Sequence, residues 1–277
     1  MKNYLDWQRV LKKKYSLKIG VLTFEPMPKM YFDNNLKNFR ISNQNQKINL
    51  LKNFDVDFII SKKFNKSFSK TKSIDFIKKI LKKKINAKFI FVSNNFRFGH
   101  KREGDVRQLI NYEKNFNYKI VKPKPLLIRN KIISSSLIRN HLKIGKLKEA
   151  NRLLNRKWSI EGKVQKGKQL GKKIGFPTAN IDIKNYVLAC PGVYAVRAKM
   201  IKGSKFIKGI ANLGFRPTFN GKKILLEVHL FNFSGNLYDK YLLVEFLKFI
   251  RKEKRFKNLD QLKKQIKRDL KVAKKTR

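Results

Sequence analysis

Gly167-Lys168-Gln169-Leu170-Gly171-Lys172-Lys173-Ile174-Gly175-Phe176-Pro177-Thr178-Ala179-Asn180 is a glycine- and lysine-rich loop that runs into an extended segment. Glycines let backbone N–H groups come close to anionic oxygens, and Lys168, Lys172 and Lys173 add positive charge, so the loop suits phosphates. Thr178 and Asn180 lie two apart. In an extended chain their side chains point the same way and can hold a magnesium ion together with phosphate oxygens. Neither Walker spacing nor a dinucleotide fingerprint is present, and on residue types alone a plain basic hairpin fits as well.

Working outward, short β-prone runs surround this loop: Ser159 to Val164, Val193 to Met200, Lys208 to Leu213, Ile224 to Leu230 and Tyr241 to Phe246, punctuated by Gly167, Gly192, Gly203, Gly221 and Gly235. That grammar predicts an antiparallel barrel. A last amphipathic helix, Leu259 to Ala273, sets Leu259, Leu262, Ile266 and Leu270 on one face to pack against it. Upstream the pattern differs. Strand-like runs at Ile19 to Phe24, Val56 to Ile60, Phe89 to Val92 and Lys119 to Val121 alternate with helical stretches at Tyr4 to Lys14, Ser42 to Lys52, Ser73 to Lys84, Asp105 to Lys114 and Ser134 to Leu154. This is βαβ order, hence a parallel, doubly wound α/β sheet. Two domains are expected, 1–155 and 156–277.

Composition narrows the class. Hydrophobic residues make up 42% and aromatics 12% of the 277 residues, which excludes a disordered basic tail. The single cysteine, Cys190, cannot form an internal disulfide and reads as a small part-buried residue. No apolar run reaches the roughly 18 residues of a membrane span and no signal-peptide stretch opens the chain, so a cytoplasmic protein without membrane association is expected. The net charge of +50 would by itself indicate nucleic-acid binding. The lysines are spread along the whole length, however, so the expectation is a basic surface that attracts polyanions without selecting among them.

Gly175-Phe176-Pro177-Thr178-Ala179-Asn180 resembles the signature of the riboflavin kinase family. Pro191 to Val196, Gly209 to Phe219 and Leu226 to Tyr238 resemble, in order, that family's next strand, its central hairpin and the segment carrying its catalytic glutamate. The match runs from about Arg156 to Lys274. The resemblance implies a six-stranded Greek-key barrel with ATP, magnesium and flavin meeting between its loops. It also implies that Glu227 is the general base, that Gly167, Lys173, Gly175, Thr178 and Asn180 bind ATP phosphates, that Thr178 and Asn180 hold the metal, and that Arg251 and Phe256, with Glu253, belong to a flavin-side flap. On residue type alone Glu227 is an outward strand residue. His229, on the same strand face, reads as a hydrogen-bonding neighbour rather than a catalyst.

The first half resembles the FMN adenylyltransferase module that bacteria fuse in front of this kinase. Val21 to Pro28 looks like its second strand and turn, Asn95-Phe96-Arg97-Phe98-Gly99 like its flavin-side loop, and Ile133-Ser134-Ser135-Ser136-Leu137-Ile138-Arg139 like its ATP-phosphate loop. The resemblance makes Asn95, Phe96 and Arg97 flavin-binding, and Ser134, Ser135, Ser136 and Arg139 ATP-binding; a serine-capped helix start explains the last four equally well. Met27 stands where the family has His, and Asn95 where it has Asp. The strand and paired-histidine motif that open the family are absent. The expected explanation is a start at an internal methionine of a longer reading frame, with true loss of the catalytic front as the alternative. The implied function is ATP-dependent phosphorylation of riboflavin to FMN, with FMN adenylylation to FAD depending on a front that these residues lack. A basic nucleic-acid-binding protein and a flavin-holding protein without turnover are the alternatives; riboflavin, FMN and ATP are the expected partners.

Overall fold

The computed structural model describes residues 2–33, 35–36, 38–128, 130–167, 171, 174–183, 185–201, 203, 205–218 and 221–276. They form two compact units, one of residues 1–36 and 50–132, the other of residues 37–49 and 133–277.

In the first unit, β1 (Gly20–Glu25) pairs in parallel with β2 (Phe58–Lys63), and β3 (Phe89–Phe91) in parallel with β6 (Lys119–Val121), while β4 (Arg97–Phe98) and β5 (Gly104–Asp105) make a small antiparallel ribbon. The strands fall where the apolar runs predicted them. Phe76, Ile77, Leu81, Phe98, Leu109 and Tyr118 form the core, with Leu22, Phe24 and Ile90 of the sheet packed on it. The helix expected over Ser73 to Lys84 is α-helical only at Ser73–Asp75; Phe76–Lys84 is wound more widely, Ile85 N–H reaching back five residues to Ile80 O at 3.0 Å. That winding brings Phe76 and Leu81, five apart, onto the buried face. A short ribbon, β7 (Leu127–Ile128) with β8 (Lys131–Ile132), ends this unit.

The second unit takes up the chain with two helices, Ser135–Lys143 and Leu147–Leu154. These replace the single helix expected over Ser134 to Leu154. The break falls at Gly145, whose φ of +77° lies in the region open to glycine and costly for other residues. The barrel follows: β9 (Ser159–Gln165), β10 (Ala179–Asp182), β11 (Gly192–Met200), β12 (Ile207–Thr218), β13 (Gly221–Leu230) and β14 (Tyr241–Lys252) close antiparallel in the order β10-β13-β12-β11-β14-β9. Alternation fills its interior with Ile160, Ile181, Tyr194, Leu213, Leu226, Leu242 and Phe246, all fully buried. Trp158 lies against Phe246 with ring centroids 4.6 Å apart. The Leu259–Lys275 helix packs on β11, β12 and β14. Its buried residues are Asp269 and Ala273, whereas Leu259, expected on the packed face, is exposed.

Residues 38–46 of the first half of the sequence are sewn to this barrel. Asn43 caps the Gln44–Lys52 helix in a reciprocal box: its Oδ1 accepts from Gln46 N–H at 2.7 Å and Gln46 Oε1 accepts from Asn43 N–H at 3.0 Å. Gln46, 5% exposed, donates from Nε2 to Ser159 O and Oγ, and its Oε1 accepts from Tyr186 Oη at 2.8 Å. Trp158 Nε1 donates to Ile41 O, and Arg156 donates to Ser42 Oγ.

Candidate active site

In β13, Leu226 and Val228 point into the barrel, so Glu227 between them stands on the outer face. The same alternation places Asn180 outward from β10, between buried Ala179 and Ile181, and Asn212 outward from β12, between Ala211 and Leu213. Register joins the three: Asn180 lies opposite Glu227 across β10 and β13, and Asn212 opposite Glu227 across β12 and β13. Directly opposed residues have Cβ atoms about 5 Å apart on one face, so a carboxylate sits between two amides.

The loop before β10 closes over one end of this row. Gly167 lies so near that a Cβ there would run into Asn180 Nδ2, and one on Gly171 would strike Phe176 O and come within 3.3 Å of Thr178 Oγ1. Close approach therefore requires glycine at 167, against the Asn180 amide, and at 171, against the Phe176 carbonyl. Gly175 has φ +87° and nothing near its missing Cβ. Lys173, like Lys168 and Lys172, lies outside the described residues. His229, next outward residue along β13, bonds through Nδ1 to Pro177 O at 2.8 Å and meets the Phe176 ring edge-on at 5.9 Å. A carbonyl only accepts, so Nδ1 carries the proton, and the ring holds the segment that presents Thr178.

Asn180 has the most telling polar atom of the row. Its Oδ1 is buried and has no hydrogen-bond partner among the described residues. Leaving such an acceptor dry costs about 1–3 kcal/mol, so a buried orphan beside a glycine-rich loop is a candidate ligand position. No cluster of three or more His, Cys, Asp or Glu able to hold a metal occurs among the described residues. The oxygen donors Thr178 and Asn180 instead fit a hard cation such as Mg2+, which takes few protein ligands and completes its shell with phosphate and water oxygens.

At the other end of the row, Asn212 Nδ2 donates to Glu253 Oε1 at 3.4 Å, and Glu253 lies directly on Gly214, where a Cβ would collide with it. Asn212 escaped the reading of the sequence; its signal was a polar residue between two interior positions of β12. Arg251 and Phe256 are brought together, the guanidinium lying 5.7 Å from the ring centroid. Arg251 sits near the end of β14 rather than in a loop. Its Nε and one Nη bond to Asp269, and its other Nη to Lys252 O.

The residues read as a second nucleotide site fall in different units. Ser134 caps the Ser135–Lys143 helix, its Oγ accepting from Leu137 N–H at 3.2 Å, while Ser135 and Ser136 are exposed at the helix start. Arg139 donates from Nε to Phe39 O at 2.8 Å and lies 3.6 Å over the Phe39 ring. Burial lowers its pKa, so this half-desolvated cation is compensated by a carbonyl and a ring face. In the first unit Asn95 Oδ1 accepts from Ser93 Oγ, Phe96 stacks on Phe98, and Arg97 pairs with Asp105 at 3.3 Å. Cys190 is buried in the second unit, with its thiol 3.9 Å from the Pro191 carbonyl, which suits a small packing residue.

The riboflavin kinase family model matches residues 154–277 and the FAD synthetase model residues 5–137. The chain is 40% identical to a bifunctional riboflavin kinase/FMN adenylyltransferase of Buchnera aphidicola subsp. Schizaphis graminum, over 98% of its own length and 90% of that protein. It is 36% identical to the protein of the same description from Escherichia coli strain K12, over 93% of this chain and 82% of that one. A crystal structure described as a macrolide-efflux protein from Streptococcus pneumoniae superposes with TM-score 0.83 at 28% identity, covering 100% of this chain and 90% of that one. No helix among the described residues is long and apolar enough to cross a membrane. With both family models matched in order and relatives of this identity along nearly the whole chain, the protein belongs to the bifunctional riboflavin kinase/FMN adenylyltransferase family.

Proposed function

We propose that the chain transfers the γ-phosphoryl group of ATP to riboflavin at the Asn180, Glu227, Asn212 row. Residues 156–277 then carry the kinase, with residues 37–49 as part of its fold, and residues 1–155 the adenylyltransferase-like function, converting FMN to FAD. The observation that carries the kinase reading is the buried Asn180 Oδ1, without a hydrogen-bond partner among the described residues, on a residue paired with Glu227 and closely approached by Gly167.

In this reading Glu227 accepts the proton of the ribityl 5'-hydroxyl as its oxygen bonds to the γ-phosphorus and the bond to the β–γ bridging oxygen breaks, releasing ADP. The loop from Gly167 to Gly175 lines the phosphates, Lys173 adding charge. Thr178 and Asn180 would hold Mg2+, which when bound neutralises phosphate charge. Asn212 stands opposite Glu227 on its other side and ties Glu253 to the row, and Arg251 and Phe256 belong to the flavin wall. Ser134, Ser135, Ser136 and Arg139 are assigned to ATP, and Asn95, Phe96 and Arg97 to flavin, in the adenylyl step. The cytoplasm, where ATP and flavin meet, is the proposed site of action.

Chromatography of flavins after incubation with riboflavin, ATP and Mg2+ tests this. FMN establishes the kinase, FMN with FAD establishes both steps, and unchanged riboflavin rejects the kinase.

A further inference from the structure

The Leu259–Lys275 helix buries a carboxylate. Asp269 is 4% exposed and takes three donors: Arg251 Nε at 2.9 Å, Arg251 Nη2 at 2.8 Å and Gln265 Nε2 at 2.8 Å. For docking a helix on a barrel this is a poor choice. Desolvating two ions offsets their attraction, and apolar residues of the same volume serve stability as well or better. What a buried, bidentate Arg–Asp pair gives is one fixed geometry for the arginine.

Arg251 is well placed to pass that geometry on. It sits near the end of β14, two residues before Glu253, which lies on Gly214 and accepts from Asn212, the residue opposite Glu227. Its guanidinium also lies beside Phe256. The chain of contacts therefore runs from Gln265 and Asp269 on the helix, through Arg251, to the 253–256 segment and the outer row of the barrel. With both edges of the guanidinium engaged by Asp269 and Lys252 O, what Arg251 can offer a flavin is the placement of that segment and its own planar face.

We infer that Asp269, held by Gln265, is a positioning residue for the flavin side of the kinase site, acting through Arg251 on the segment that carries Glu253 and Phe256. This rests on the kinase reading. It predicts a selective defect, because the network meets the row at Asn212, whereas the loop before β10 meets it at Asn180.

Steady-state kinase assays on the full chain test it, with Asp269→Asn and Gln265→Ala beside the unsubstituted protein. Asp269→Asn keeps the shape but removes the charge that fixes Arg251, and is expected to raise the KM for riboflavin about tenfold, as for loss of a charge-assisted contact. The KM for ATP stays within about twofold. Gln265→Ala shifts riboflavin KM in the same direction by less, and Asp269→Glu restores part of it. Equal riboflavin KM values in the variants overturn the inference, as does a uniform loss in which both KM values and the melting temperature move together. Should Asp269→Asn fail to fold, Gln265→Ala decides on the same readout. If the unsubstituted chain neither forms FMN nor quenches riboflavin fluorescence, the kinase reading itself fails and takes this inference with it.

Discussion

Asn180 stands directly opposite Glu227 in the antiparallel pairing of β10 with β13, with its Oδ1 buried and unpartnered among the described residues. Glu227→Gln keeps the size of the side chain and removes the proton acceptor. Single-turnover FMN formation is expected to fall about 10²- to 10⁴-fold, while riboflavin binding followed by fluorescence quenching stays as it was. Undiminished turnover would remove Glu227 from the role of base.

Asn180→Ala separates function from stability. Deleting an amide whose oxygen is left dry relieves a desolvation penalty, so the melting temperature of the ligand-free protein is expected to hold or rise. The kcat/KM for ATP falls about tenfold or more, as for loss of one contact to a charged ligand. A variant that melts earlier and phosphorylates normally would assign Asn180 to the fold alone.

Gln46→Ala leaves Tyr186 Oη and the Ser159 carbonyl short of partners and opens the capping box at Asn43. A loss of about 1–3 kcal/mol in urea unfolding is expected, although residue 46 lies 113 positions from Ser159. The measurement is the midpoint of the barrel's transition, followed by Trp158 fluorescence. No change there would mean the strap is ornamental.

Glu161 is half-buried, and burial pushes its pKa above the ordinary 4.5, only partly countered by the hydrogen bond from Asn43. The folded form therefore holds its proton more tightly than the unfolded chain. Its contribution to stability is fully present below pH 4.5 and is lost as pH rises through the raised value. Glu161→Gln, which can still accept from Asn43, is expected to melt higher than the parent at neutral pH and equally in acid. Parallel melting curves at both ends would contradict this.

Net charge predicts binding without choice. Mixed-sequence RNA is expected to be retained at low salt and released as salt rises from about 50 to 200 mM, independently of sequence. Retention at the upper end, or preference for one sequence, would indicate a dedicated nucleic-acid surface.

Much of this was legible in the sequence. Short β-prone runs punctuated by glycines marked the barrel, and the resemblance carried by Gly175 to Asn180 and by the segment around Glu227 pointed to two strands of the candidate site. The strand ends were not legible, because β14 continues through Arg251 on pairing with β11 rather than on any apolar pattern. Gly145 was read through as helix, since nothing local distinguishes a tolerated helix glycine from one with positive φ. Asp269 hid among the polar residues of an amphipathic helix, because an acid's burial depends on an arginine 18 positions away. The strap at 38–46 left no trace beyond its capping box: its partners lie at Arg156, Trp158, β9 and Tyr186, and hydrogen bonds over such separations have no period.

That strap also limits how relatives of this protein can exchange parts. A hybrid gene joined once anywhere between codons 50 and 132 takes Ser42, Asn43 and Gln46 from one parent, and Arg156, Ser159, Glu161 and Tyr186 from the other. Recombination at the midpoint of the sequence thus divides a single hydrogen-bonded core between two ancestries, and only parents that agree at those seven positions yield a barrel with its amides and hydroxyls satisfied.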